Sequence, residues 1–521
     1  MTNKLKTKEY QILVSDIEFR SERREVCLSV YEDLGYLIKL NDNKNQVIFG
    51  RRGSGKTHLL GSFVEYVNKE IKKDIAIYID LKDIANEIVQ EYTIDQKSYF
   101  YFWEFVEKIA VKLREEIINR LSMLKANSIK QKKLYKAIVL IDNLLTDISE
   151  EKFNTITGNF KNIENGSIKI DGFSDGGKRA KEKKQIKKKS TKDRFEEIIK
   201  ISGTRYLFIA IDEWISFKPD MQPRFANMLN KAFINSKVIA LKIGTIKYRT
   251  RFYLSKKNLG LELGSDIFSS IDLDINQMWE RGVEKSIKFF SGILIKHLNY
   301  SIKKLKLKLD PYSKSKLNYL FASDKAFVEL VKASEGIPRD FLNIFKRSYD
   351  YFLNDIKAKK ITIRHIKSAV SDWYQDDKIS ALDSSSKVYK VLENLINNVI
   401  IQYKTKQFIL PTEETANKEI QSLIDLRLLH LLKQGWSSKG TPGKRYNIIS
   451  IDYGAFIAIL ETKIGKEVKQ LWSGDDPLPE VNLRDIRRKE FSIKDTKIFK
   501  KSEREDLKTT KEQLILPLFK T

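Results

Sequence analysis

The 521-residue sequence has a single cysteine, Cys27. One thiol can neither staple a fold nor build a multi-cysteine zinc site, and it suits a reducing compartment. Long apolar runs are also missing: none reaches the roughly 18–20 residues that a membrane span needs. Met1-Thr2-Asn3-Lys4-Leu5-Lys6 leads into no apolar stretch, so a secretory signal is not expected and a cytoplasmic location is. Acidic charge is short as well. Sixty-nine Asp and Glu face 96 Lys and Arg, a formal net charge of +27. That excess favours nucleic acid as a partner, because phosphate contacts supply most non-specific affinity. Lys far outnumbers Arg, a bias that an AT-rich genome also produces. Core material is ample. Hydrophobic residues make up 41% of the chain, which excludes wholesale disorder, and the length suits about two to four domains.

Leu28, Tyr31, Leu34 and Leu37-Ile38 recur at helical spacing and predict one helix before the polar run 41–45. Gln46-Val47-Ile48-Phe49 is a short apolar run, as in a buried parallel strand. Lys56 to Glu70 reads as a helix with Leu59, Leu60, Phe63 and Val67 on one face, and Asp74 to Leu81 as a second strand. Strand, helix and strand at this spacing make a βαβ unit, hence a parallel sheet. Residues 97–124 form a long aromatic-rich helix. From about residue 126 to 200 regularity fades into what reads as a flexible basic insertion. Within it, Lys178 to Arg194 holds ten Lys/Arg against two acids, Glu182 and Asp193. Lys187, Lys188 and Lys189 are candidate DNA contacts there; a solvated loop with no specific task is the alternative. Tyr206 to Ile211 and Val238 to Ile243 are further buried strands, and Ile267 to Leu273 is a candidate fifth. Residues 276–375 look all-helical, with Thr362 placed to cap the last helix.

Gly50-Arg51-Arg52-Gly53-Ser54-Gly55-Lys56-Thr57, followed by His58, lies between a strand and a helix. Such a loop points backbone N–H groups and the positive end of a helix at phosphate oxygens. Lys56 is placed for the β- and γ-phosphates of ATP, and the Thr57 hydroxyl for Mg²⁺. Gly53 and Gly55 permit a close approach that a side chain would block. Asp212-Glu213 ends the apolar strand YLFIAI. An acid there can hold the magnesium, and a second can activate the attacking water, the arrangement called Walker B. Asp212 takes the first role and Glu213 the second.

Four further features follow. The strand VIALKI ends in Gly244-Thr245, where a polar residue can hold the attacking water or the γ-phosphate. Lys247-Tyr248-Arg249-Thr250-Arg251 precedes the fifth strand. Glu335-Gly336-Ile337-Pro338-Arg339-Asp340 opens an apolar helix. Residues 384–460 read as helix, short strand, helix and two strands around the connector Gly435 to Lys444, with Lys439, Lys444 and Arg445 as candidate DNA contacts. Together these resemble the AAA+ ATPases of the origin-recognition-complex type, the initiator clade. The resemblance implies an α/β P-loop NTPase fold, with a parallel-sheet AAA+ core at 1–275, an α-helical lid at 276–382 and a winged helix at 383–462. A charged tail covers 463–521. It also implies Thr245 as sensor 1, Arg339 as sensor 2 contacting the γ-phosphate, and Arg249 or Arg251 as an arginine finger entering a neighbouring subunit's site. The chain departs from the family in its insertion, in Thr245 where Asn is commoner, and in its tail. Bacterial proteins of this shape look like accessory or antiviral-defence ATPases working with a protein effector, or act in DNA maintenance.

Two functions compete on this reading. One is a slow ATP-hydrolysing switch that binds duplex DNA and self-associates into an oligomer. The other is an ATP-regulated scaffold whose winged helix binds a protein. A motor ranks behind both, since no helicase signature beyond the Walker pair is evident. Asp80 and Asp83 are explained by a strand edge and a solvated turn.

Overall fold

The computed structural model describes residues 3–17, 28–86, 93–124, 128–156, 190–276, 282–402, 405–437 and 443–460. Lys187, Lys188, Lys189, Lys439 and the tail from 463 lie outside the described residues. The chain forms two compact units: Val26–Gly50 with Lys56–Asp272, and Met1–Glu25 with Arg51–Gly55 and Leu273–Thr521.

In chain order, α1 (Lys8–Ser15) and α2 (Tyr36–Leu40) precede β1 (Gln46–Phe49), α3 (Lys56–Tyr66), β2 (Ile75–Asp80) and α4 (Leu81–Ala85). Three helices follow, α5 (Ile94–Ser122), α6 (Ile129–Ile156) and α7 (Thr191–Ser202). Then come β3 (Leu207–Asp212), α8 (Gln222–Leu229), β4 (Ile239–Thr245), the short pair β5 (Tyr253–Leu254) and β6 (Leu259–Gly260), and β7 (Phe268–Asp272). Next are α9 (Leu273–Asn276), α10 (Val283–Lys304), α11 (Lys314–Leu317), α12 (Asp324–Ala333), α13 (Pro338–Asn354) and α14 (Ile363–Trp373). The last elements are α15 (Lys387–Leu395), β8 (Gln407–Pro411), α16 (Lys418–Asp425), β9 (Leu429–Ser437), β10 (Arg445–Ile451) and α17 (Tyr453–Leu460).

The first unit is built on a five-stranded sheet in the order β2-β3-β4-β1-β7, parallel throughout. Strand alternation decides what packs on each face. Leu207, Ile209 and Ile211 of β3 join the large core that includes Phe105, Phe225 and Phe233. Phe208 points the other way and meets Phe63 of α3 edge-on at 5.4 Å. So α3 covers one face, and α5 with α8 the other. A fully buried Phe such as Phe63 contributes about 1.5–3 kcal/mol. The result is an α/β fold on a parallel five-stranded sheet, in which the carboxyl ends of β1, β3 and β4 lie beside the start of α3.

Two readings of this unit are corrected. The helix expected across residues 28–38 is broken: Gly35 sits at φ +83°, Asp33 caps the N–H groups of Tyr36 and Leu37, and only Tyr36–Leu40 is α-helical. The insertion expected from 126 opens instead with the 28-residue α6. Leu134, Ala137, Ile141, Leu144 and Ile148 recur every three or four residues and are buried. Ile129, Tyr135 and Val139 are apolar yet exposed, which blurs that periodicity in the sequence. The β5–β6 hairpin was not anticipated.

The second unit contains the helices α10–α14 and a three-stranded antiparallel sheet, β8-β10-β9. Pro338 opens α13 at its first turn, where its missing N–H costs nothing. Thr362 caps α14, and His365 completes a reciprocal capping box. α14 continues as a π turn, Tyr374–Ile379. α16 packs on β9 and α15 on α16, α17 packs against α14 and α12, and Ile409, Leu432, Tyr446 and Ile448 form a small core under Trp436.

Candidate phosphate-binding site

In the first unit, the even-numbered positions of β3 and β4 face α3, the helix that begins at Lys56. Asp212 therefore stands on the same side of the sheet as the start of that helix. It is fully buried. Tyr78 on β2 donates its hydroxyl to Oδ2 at 2.9 Å, and the Glu213 N–H donates to Oδ1 at 2.9 Å. Burial, and then the charge of Asp212, push the Tyr78 phenol far above its usual range, so it stays a donor. Gly244 is level with Asp212 on β4. A Cβ there would stand 2.8 Å from Leu60 Cδ1 and 3.0 Å from Asp212 Oδ1, so the carboxylate occupies space that a side chain would take.

Lys56 is buried and donates from Nζ to the Gly50 carbonyl at 2.7 Å. The Gly50 N–H in turn donates to the Thr245 carbonyl at 3.1 Å. Thr57 is half-buried; His58 is half-buried and packs edge-on against Tyr31 at 5.2 Å. Glu213 adopts φ +53°, a left-handed conformation that a non-glycine residue rarely holds. Such strain gathers at functional positions. The Thr245 hydroxyl bonds that of Thr250. Arg249 and Arg251 are exposed. Between them, buried Gln222 accepts the Arg251 N–H at 2.8 Å and donates to the Arg249 carbonyl at 3.3 Å.

The loop Arg51–Gly55 belongs to the second unit. Gly53 and Gly55 take φ +81° and +97°. A Cβ on Gly53 would lie 3.1 Å from Arg339 Cβ and from Ile337 Cγ2. Arg339, half-buried at the start of α13, donates its backbone N–H to the Gly53 carbonyl at 3.4 Å. Arg52 is exposed and Ser54 buried. Arg51 is 2% exposed, and its backbone N–H meets both Asp274 carboxylate oxygens at 2.8 and 2.9 Å. Its guanidinium donates to His430 Nδ1 and to the Glu335 carbonyl. Of the candidate DNA contacts in the described residues, Lys444 and Arg445 are exposed at the start of β10, and Lys433 on β9 joins them.

Sequence reasoning missed Tyr78, Gln222, His430 and Asp452. A polar residue in an apolar strand is the available signal for Tyr78 and His430. Nothing local marks Gln222 or Asp452.

No protein-family model matches the chain. The Holliday junction branch migration complex subunit RuvB of Prochlorococcus marinus (strain MIT 9301) is 36% identical over 87 residues, which is 17% of this chain and 24% of that protein. The chain thus matches about a quarter of the length of that curated relative. Among solved structures, the Aeropyrum pernix Orc1 protein in complex with DNA aligns over 89% of this chain and 96% of its own, at 11% identity and a TM-score of 0.32. Drosophila ORC bound to DNA aligns over 86% and 89%, at 11% identity and 0.30. A point mutant of Thermotoga maritima RuvB aligns over 77% and 84%, at 12% identity and 0.28.

Proposed function

We propose that this chain is an ATP-binding and ATP-hydrolysing AAA+ switch that associates with DNA through a C-terminal winged helix and assembles with further copies. The observation that carries the reading is the buried Asp212 carboxylate, held by Tyr78 and the Glu213 N–H on the sheet face that α3 covers. The donor set suits a magnesium nucleotide. Thr57 and Asp212 are hard oxygen ligands, Lys56 is the phosphate cation, and the positive-φ glycines give the loop a backbone that can wrap an anion. Magnesium, when bound, neutralises phosphate charge. Glu213 orients and deprotonates water, and Thr245 and Arg339 sense the γ-phosphate. Arg249 or Arg251, whose backbone Gln222 fixes, serves a neighbouring copy. The segment shared with a Holliday junction subunit supports a role on DNA.

Lys56→Ala should abolish nucleotide binding, and Glu213→Gln should bind ATP but stall hydrolysis, as read by a fluorescent ATP analogue and phosphate release. Wild-type ATP affinity in Lys56→Ala would remove the site assignment.

A second reading, an ATP-regulated scaffold, is favoured by one observation. The first turn of α16 and the turn before it carry exposed Glu413 and half-buried Glu414 and Glu419 against exposed Lys418. An acidic helix is repelled by phosphate and suits a basic protein. On the DNA reading, contact therefore falls to the β9–β10 hairpin, with Lys433, Lys444 and Arg445.

A further inference from the structure

Arg51 lies in the phosphate loop, but its side chain is spent elsewhere. It starts a chain of buried charged contacts. His430, on β9, is fully buried; Nδ1 takes the Arg51 guanidinium, and Nε2 lies 2.8 Å from Asp452 Oδ2. Arg51 is always protonated, so Nδ1 must accept; Nε2 then carries the proton and donates it to Asp452. The imidazole is a neutral spacer between a cation and an anion. Asp452, just before α17, shares the same oxygen with Lys378 at 2.6 Å and accepts the Gly454 N–H at 2.9 Å. Lys378, on the π turn after α14, reaches Asp340 at 3.1 Å. Asp340 also pairs with Arg427, which pairs with Asp377. Asp340 directly follows Arg339, whose N–H donates to Gly53. The circuit leaves the loop at Arg51 and returns to it two residues later.

Arg51, His430, Asp452, Lys378 and Asp340 are each 2% exposed or less. In so dry a setting, removing one partner leaves a buried charge or polar atom short of a contact that water cannot replace, which is costly. Displacement of one member is therefore resisted by its neighbours. A shift of the loop at Arg51 pulls on β9 and α17 through His430 and Asp452. A shift of the antiparallel sheet pulls on the loop by the same contacts. Coupling of this kind is reciprocal by thermodynamic necessity.

We infer that Arg51 and His430 are positioning residues that tie the conformation of the phosphate loop to the β8-β10-β9 domain. Nucleotide at the loop is thereby read out at β9, β10 and α17, and a partner on that domain alters nucleotide affinity. The inference rests on the phosphate-loop reading of residues 50–57.

The test uses the full chain and hydrogen exchange by mass spectrometry, with and without a saturating non-hydrolysable ATP analogue. In the wild type, exchange at residues 428–432 and 446–452 should change about fivefold or more on nucleotide addition. His430→Phe keeps a ring but cannot relay; it should bind the analogue and lose that response. His430→Gln retains an acceptor and a donor and should restore part of it. If His430→Phe does not fold, Arg51→Met severs the same link from the loop side. An unchanged response in the severed variant, or none in a wild type that binds the analogue, overturns the coupling. A wild type that fails to bind the analogue removes the phosphate-loop reading, and the coupling with it.

Discussion

His430 shows how much one side chain can settle. Burial first, and then the neighbouring Arg51 charge, push its pKa down from 6.5 to about 3. Below pH 6.5 the unfolded chain takes up a proton that the folded chain refuses, so the contribution of His430 to stability is complete above pH 6.5 and drains away as pH falls towards 3. The wild type should lose stability between pH 6.5 and 4.5 more steeply than His430→Gln, measured by denaturant unfolding at stepped pH. Equal slopes would mean that the imidazole is not held neutral. Asp452 adds a second loss at lower pH. Burial alone would raise its pKa, but Lys378 and His430 hold it below the ordinary carboxylate range. Gly244 is decisive in another way, because its missing Cβ is the room that Asp212 uses.

Elements were legible where a single local rule fixed them. β1, β3 and β4 are short apolar runs bounded by polar or glycine turns, and buried parallel strands have that composition. The turn from β1 into α3 was legible because consecutive residues with three glycines carry it. α6 was not, because Ile129, Tyr135 and Val139 interrupt its otherwise polar outer face. Lys242 was not either. A lysine inside VIALKI reads as an error, yet its ammonium donates to the Asp42 and Lys44 carbonyls and to Gln46 Oε1 at 2.5, 2.7 and 2.6 Å, pinning the turn before β1. Arg51 and His430 lie 379 residues apart, a distance across which no pattern operates. Gln222 belongs to this class. Gln222→Leu strips partners from the Phe217 and Arg249 carbonyls and the Arg251 N–H. It should cost about 1–3 kcal/mol of stability in denaturant melts. If Arg249 or Arg251 acts in trans, ATPase activity should also fall at temperatures where the variant is fully folded.

At the scale of the molecule, the +27 charge has to be separated from composition bias. A DNA complex made through the β9–β10 hairpin should weaken as salt rises, with log affinity falling by about 0.9 per phosphate neutralised. Lys444→Ala with Arg445→Ala should lower both affinity and that slope, by roughly 2 units in the slope, whereas Glu413→Gln beside α16 should not weaken binding. Fluorescence anisotropy on labelled duplex across a salt series reads both. Affinity without a salt slope, or no binding with or without ATP, would favour the protein scaffold and make the charge a matter of genome composition.

The Arg51–His430–Asp452 contacts also bear on modularity. The sheet formed by β8, β9 and β10 is not a detachable reader. A chain cut at Ser384 would take His430 from Arg51, Asp452 from Lys378 and Arg427 from Asp340, leaving each of these buried charges one partner short. Arg51 and His430 therefore constrain each other: each limits which substitutions the other position can accept.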